Sequence, residues 1–231
     1  ADMMWSTRHW ERIDLREKIN QHLYYPIKPI PDRKSLFDVL VDGILDEGTI
    51  TEVFKDDRFE IYAPPEEIEQ LVSTFDTVWL DPDFRDPNDP STYTIDTITI
   101  KADNVLAYLI KSDWYYDKQR GEMKNRIIGI APFVQDPKDK TNKYPLFWVW
   151  FPDARYAMHT HQAYNRNNQI QRLTFDEIFH LRVFNSVIYK EDNVYDRAIA
   201  EYKRNDALSQ LLEAQMIRER LRNFEHDLWE F

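Results

Sequence analysis

The sequence predicts an α+β fold with a mixed or antiparallel sheet at its core, several flanking helices and a C-terminal helix. Three observations carry that expectation. Thirteen Phe, thirteen Tyr and seven Trp among 231 residues supply side chains that fit a pleated, half-buried surface. The densest apolar cluster, Asp113 to Phe151, reads as three adjacent strands, with Gly121 and the polar Gln135 to Lys143 insert as turns. Helix-start signals at Ser35 and Thr174, and a long apolar-patterned stretch near the C-terminus, supply the helices.

In chain order, residues 1–34 read as an N-terminal arm ahead of a single α+β core domain, 35–231. Met3, Met4, Trp5 and Trp10 show no clear period, and Pro26, Pro29 and Pro31 mark Tyr25 to Asp32 as an extended connector. Ser35 caps a helix carrying Leu36, Phe37, Leu40, Val41 and Ile44, with Asp38 as the capping-box acid and Gly48 as its stop. Thr49 to Phe54 is expected to pair with Arg58 to Tyr62 as a hairpin. Pro64-Pro65-Glu66-Glu67 opens a second helix reaching about Phe75, since proline and acids both suit a first helical turn.

Asp81 to Ser91 is an acidic, proline-rich loop. It lacks the glycine and the bidentate glutamate of a calcium-binding loop, so a solvated turn is expected. Tyr93 to Lys101 alternates as a strand whose phase slips at Asp96-Thr97, which predicts a bulge. Asp103 is expected to cap a helix bearing Val105, Leu106, Leu109 and Ile110. Asn165 to Asn168 reads as a loop. Thr174 and Glu177 form a capping box for a helix to Phe184, followed by a strand over Ser186 to Lys190. Segments beginning at Ser35, Asp103 and Thr174 thus share the order helix, strand, charged turn, and a degenerate helix-strand repeat is one expectation. On the last helix, about Asp206 to Phe224, Leu208, Leu211, Leu212 and Met216 share one face. Ile217, Leu221, Phe224 and Leu228 lie roughly 170° away, so a single flat contact cannot bury both sets.

Composition removes several function classes. A formal charge of −11 with a pI near 5.0 repels a phosphate backbone, so nucleic acid is not an expected partner. With no cysteine there are no disulfides, no thiol catalysis and no Cys-type zinc site. No apolar run approaches the roughly 20 residues of a membrane span, and no signal peptide opens the chain, so a soluble protein is expected without a compartment being implied. His159-Thr160-His161 is the one spacing that points to a metal, because on a strand both imidazoles share a face, but no further ligand accompanies the pair. The four glycines are too sparse for a phosphate loop. No catalytic, cofactor-binding or metal residues are therefore expected.

Several segments, in order along nearly the whole chain, resemble the GldN/PorN family of the Bacteroidetes type IX secretion and gliding machinery. They are Arg16-Glu-Lys-Ile-Asn20 with Leu23-Tyr-Tyr-Pro26, Arg33 through Gly43, Asp113-Trp-Tyr-Tyr-Asp-Lys-Gln-Arg120, Arg126-Ile-Ile-Gly-Ile-Ala-Pro132 and Leu146-Phe-Trp148. Tyr164 with Asn165 to Asn168, Ile188-Tyr-Lys-Glu191, Asn193 to Arg197 and Asn223-Phe-Glu-His-Asp-Leu-Trp229 continue the match. The resemblance implies a non-catalytic ring component of the periplasm, associated with the outer membrane through the lipoprotein GldK/PorK. It also implies contact with the periplasmic part of GldM/PorM and with neighbouring copies of itself. Trp5, Trp10, Ile217, Leu221 and Phe224 are the expected partner-binding residues, although such tryptophans more often dock in grooves of their own domain. Readings from other classes are a periplasmic metal-binding or hydrolytic domain using His159 and His161 with nearby acids, and a peptide-binding module using exposed strand edges.

Overall fold

A computed structural model describes residues 3–31, 33–79, 93–117, 119–164, 172–204 and 206–227. Its centre is an antiparallel sheet built on two long strands, β5 (Val105–Asp117) and β6 (Glu122–Gln135), joined by a turn in which Gly121 takes φ +65°. Beside β5 lies β1 (Met3–Asp14), and beyond it β9 (Val187–Glu191). On the other side, β6 pairs with β8 (Trp148–Trp150) and β7 (Lys143–Pro145), and β8 pairs with β2 (Val53–Phe54). The order is β2-β8-β6-β5-β1-β9, with β7 a side branch from β6. A separate ribbon pairs β3 (Ser73–Trp79) with β4 (Tyr93–Thr99).

Helices α2 (Leu36–Leu45), α3 (Pro65–Val72), α4 (Phe151–Thr160) and α5 (Phe175–His180) contribute to the main core. There Leu40, Tyr108, Ile130, Phe147 and Phe179 are almost fully covered. A smaller cluster contains Trp10, Leu109, Ala131 and Trp148. Helix α1 (Gln21–Tyr24) follows β1, α6 (Ile199–Tyr202) follows β9, and α7 (Ala207–Asp227) packs along β9.

The three expected strands of the central stretch, the helix capped by Ser35 and the box at Thr174 are all present. The Ser35 side chain accepts from the Asp38 N–H while Asp38 accepts from the Ser35 N–H, and Thr174 and Glu177 repeat the exchange. Val105 to Ile110, expected as a helix, is strand. Ala107 and Tyr108 are as buried as Leu109 and Ile110, so both faces of the segment are covered, as in an interior strand. Without that helix the proposed three-fold repeat has no second unit.

Residues 3–14, expected in an arm, form an interior strand between β5 and β9. The β3–β4 register runs from Ser73↔Thr99 to Trp79↔Tyr93 without the bulge expected at Asp96-Thr97. The second helix ends at Val72 and the chain continues as β3, while α5 stops at His180 because Arg182 takes φ +51° and turns Phe184 back into the core. The hairpin expected before Tyr62 is reduced to bonds from Lys55 N–H to Ile61 O and from Ala63 N–H to Val53 O, each 2.9 Å, because β2 pairs with β8 instead. The Asp81 to Ser91 loop, the Asn165 to Asn168 loop and Leu228 lie outside the described residues.

Candidate functional site

Helix α7 carries apolar side chains on two sides because it has two environments. Its inner face sets Ala214 and Ile217 against Ile188 and Ile199; Ile217 is 1% exposed. The small Ala214 lets the helix approach β9 closely. Further along this face Leu221 and Phe224 are half-buried, and the Phe224 ring stacks on Trp5 with centroids 4.5 Å apart at 30°. The outer face is bare: Leu208, Leu211, Leu212 and Met216 are 61%, 52%, 52% and 56% exposed. Four neighbouring apolar side chains left in water mark a contact surface more strongly than scattered single ones.

Polar bonds fix the helix on the sheet. Arg218 Nη2 donates to the Ser186 carbonyl at 2.5 Å, and Arg220 Nη1 lies 3.3 Å from both Glu191 carboxylate oxygens. His9 Nε2 stands 3.5 Å from Glu191 Oε1, an ion-pair separation without the alignment of a hydrogen bond. The approach of His9, helped by Arg220 and opposed by burial, holds the Glu191 carboxyl below the usual carboxylate range.

Under the same helix lies a buried carboxylate. Glu11, on β1, is 2% exposed and accepts from Arg182 Nη2 and Ser186 Oγ, each at 2.5 Å, and from Ser112 Oγ at 3.2 Å. Arg182 Nη1 also donates to Asn125 Oδ1 at 2.7 Å, and its guanidinium lies over Trp114 and Phe184. A non-glycine residue at φ +51° costs roughly 1 kcal/mol or more. Here that backbone aims Arg182 at a carboxylate that would otherwise be buried without a cation. A cavity of about 330 Å³ lies against this group, bounded also by Leu221, Arg218 and Arg222.

The expected site residues separate into two groups. Trp5, Leu221 and Phe224 lie along the inner seam of α7 and keep part of their surface. Trp10 and Ile217 are enclosed by their own chain. Trp10, 5% exposed, sits with Leu109, Ala131 and Trp148, with Lys190 Nζ 4.4 Å and Lys111 Nζ 5.4 Å from its ring centroid. His159 and His161 do not share a strand: one is in the last turn of α4 and the other caps it, with His161 Nδ1 beside the Ala157 carbonyl at 2.9 Å. Among the described residues no three His, Asp or Glu side chains gather as a metal site, and no helix is long and apolar enough to cross a membrane. Sequence reasoning missed Glu11 and Arg182, which are 171 positions apart. It also gave no way to rank the two faces of α7, since both are equally apolar; the one local signal is Ala214, which only the packed face contains.

No curated protein gives a match to the chain. The family described as "Gliding motility associated protein GldN" matches residues 1–230. With that match running from the central strand β1 through the last described turn of α7, the chain belongs to the GldN family.

Proposed function

We propose that the chain is a non-catalytic structural subunit of a periplasmic ring that assembles with the lipoprotein GldK/PorK beneath the outer membrane and contacts the periplasmic part of GldM/PorM. Family membership already makes it a component of the gliding and type IX secretion machinery. The observation that carries the finer reading is the bare outer face of α7, four large apolar side chains on a helix whose inner face is already packed. A subunit that meets neighbours around a closed circle needs apolar surface that is uncovered before assembly. Trp5, Leu221 and Phe224, which keep part of their surface along the inner seam of the same helix, belong to the proposed interface as a second contact, and Ile217 anchors the helix to β9.

The enzyme reading gains nothing from the geometry. The buried Glu11 carboxylate, 2% exposed, accepts from an arginine and two serine hydroxyls, an arrangement that ties β1 to β5 and to the segment before β9. Coexpression with the lipoprotein, followed by copurification and imaging, tests the proposal: ring-shaped particles containing both chains are expected, and separate elution of the two overturns it.

A further inference from the structure

The sheet has an open edge in its interior half. Strand β8 pairs with β6 only at Gly129 and Ile130, and β7 only at Phe133 to Gln135. The chain then leaves the sheet as α4, with Pro152 in its first turn. Glu122 to Ile127 consequently pair with β5 on one side alone, and among the described residues no bond reaches their outward-facing backbone groups. A groove of about 820 Å³ runs along this edge, with all six residues on one wall and Phe151, Arg155, Phe179 and His180 of α4 and α5 on the other. Its size falls within the range of ligand sites.

The groove is basic on an acidic protein. Arg120, Lys124, Arg126, Arg155 and Arg182 line it against only Glu122 and Asp176, whereas the chain as a whole carries −11. Arg155 is held by Asp176 through two bonds of 2.8 and 2.9 Å, and Lys124 lies 3.6 Å from Glu122. Arg120 and Arg126 are exposed and have no ion-pair partner among the described residues. Two buried donors in the same wall, Trp114 Nε1 and Asn125 Nδ2, also lack acceptors among the described residues. Open ladder groups, surplus cations and unsatisfied donors all call for a chain that brings acceptors.

We infer that the β6 edge from Glu122 to Ile127 is a docking groove for an extended acidic segment of another polypeptide, added to the sheet as a further strand. Main-chain bonds along the edge hold such a segment and Arg120 and Arg126 select its carboxylates. A second copy of this chain is the poorer occupant, because edge-to-edge pairing brings Arg120, Lys124 and Arg126 against their own kind. The same cations that keep copies apart thereby define the partner.

The test uses the full chain and a labelled octapeptide of alternating glutamate and valine, with two analogues N-methylated at every glutamate or at every valine. Backbone N–H groups alternate between the two edges of a strand, so one analogue is expected to bind like the parent and the other at least tenfold more weakly. Hydrogen exchange is expected to slow at Glu122 to Ile127 when the parent peptide is added. Arg120→Glu with Arg126→Glu is expected to weaken binding at least tenfold with an unchanged unfolding midpoint, and a lysine-valine peptide is expected not to bind. Equal binding of both methylated analogues, or protection elsewhere than on β6, overturns strand addition. Displacement of the peptide by millimolar inorganic phosphate, or equal binding to phosphatidylglycerol vesicles, overturns the peptide as occupant in favour of a simple anion or a lipid surface. The outcome is independent of whether the lipoprotein forms rings with the chain.

Discussion

Replacing Leu211 and Leu212 together by serine tests whether the outer face of α7 is an interface. Fully burying a leucine side chain contributes about 1.5–3 kcal/mol. Both residues are 52% exposed, so a partner that covers them recovers about 1 kcal/mol from each. The double substitution therefore removes about 2 kcal/mol of binding, which at about 1.4 kcal/mol per tenfold is roughly a 30-fold loss of affinity. Its effect on the fold is smaller, since each exposed serine costs only about 0.5 kcal/mol of helix propensity. Ile217→Ala is the opposing control. Its side chain is 1% exposed against Ile188 and Ile199, and its truncation costs about 2–5 kcal/mol of stability. The assay is a titration of the labelled chain with the lipoprotein GldK/PorK, run beside urea unfolding of each variant. Binding by Leu211→Ser/Leu212→Ser within twofold of the parent refutes the outer face as an interface. Loss of binding by Ile217→Ala at an unchanged urea midpoint inverts the assignment of the two faces.

Three further expectations concern the fold that presents these surfaces. Arg182→Ala strands the Glu11 carboxylate in the interior and is expected to cost about 3–5 kcal/mol in urea unfolding, with Arg182→Lys recovering part; a loss under about 1 kcal/mol contradicts the role given to this pair. Gly129→Ala places a methyl group into the Phe59 ring and 3.2 Å from the Val149 carbonyl oxygen, so a loss of about 1–3 kcal/mol is expected, with Phe59→Ala relieving the clash in the double variant. His22 is driven below its ordinary value by burial, its Nε2 having no partner among the described residues, so its neutral form favours the native state. The sign follows: stability is full above about pH 6.5 and declines as acid lowers the pH from there toward the depressed native value. His22→Gln is expected to flatten that limb of the urea midpoint against pH, and an unaltered limb rules His22 out as its cause.

The legible parts of the fold are those whose physics is local. Ser35 with Asp38 and Thr174 with Glu177 announce their helices because both partners of each capping box lie within one turn. Strand β1 and the first half of β5 were hidden for the opposite reason. An interior strand is recognised by apolar residues on both faces, and β1 interrupts that pattern with His9 at 0% and Glu11 at 2% exposure. Those polar groups are tolerable only because Arg182 and Ser186 reach Glu11 from 171 and 175 positions away, a pairing no window along the chain contains. Val105 to Ile110 fits a helical stripe and a buried strand equally well, and only the coverage of Ala107 and Tyr108 decides between them. For the site, the two-sided character of α7 was readable but the direction of each side was not. Hydropathy counts apolar residues without saying which of them β9 will cover.

The same topology separates the surfaces on which the functional proposals rest. Helix α7 lies along β9 at one end of the sheet, whereas the open stretch of β6 faces away from β5 toward the other end. Three strand-to-strand steps of about 4.8 Å separate β9 from β6, roughly 14 Å in all. Sites farther apart than about 7–10 Å with no shared partner respond additively to mutation. Trp114, Met123 and Arg182, however, line both the cavity under α7 and the groove beside β6. Substitutions on the outer face of α7 should therefore leave peptide binding at β6 unchanged, while Arg182→Lys, which touches both cavities, should weaken each. The two surfaces differ in chemistry, one apolar and helical and the other basic and strand-edged, so each calls for a different counterpart. Two unlike faces on one chain are what a heterologous, head-to-tail assembly requires.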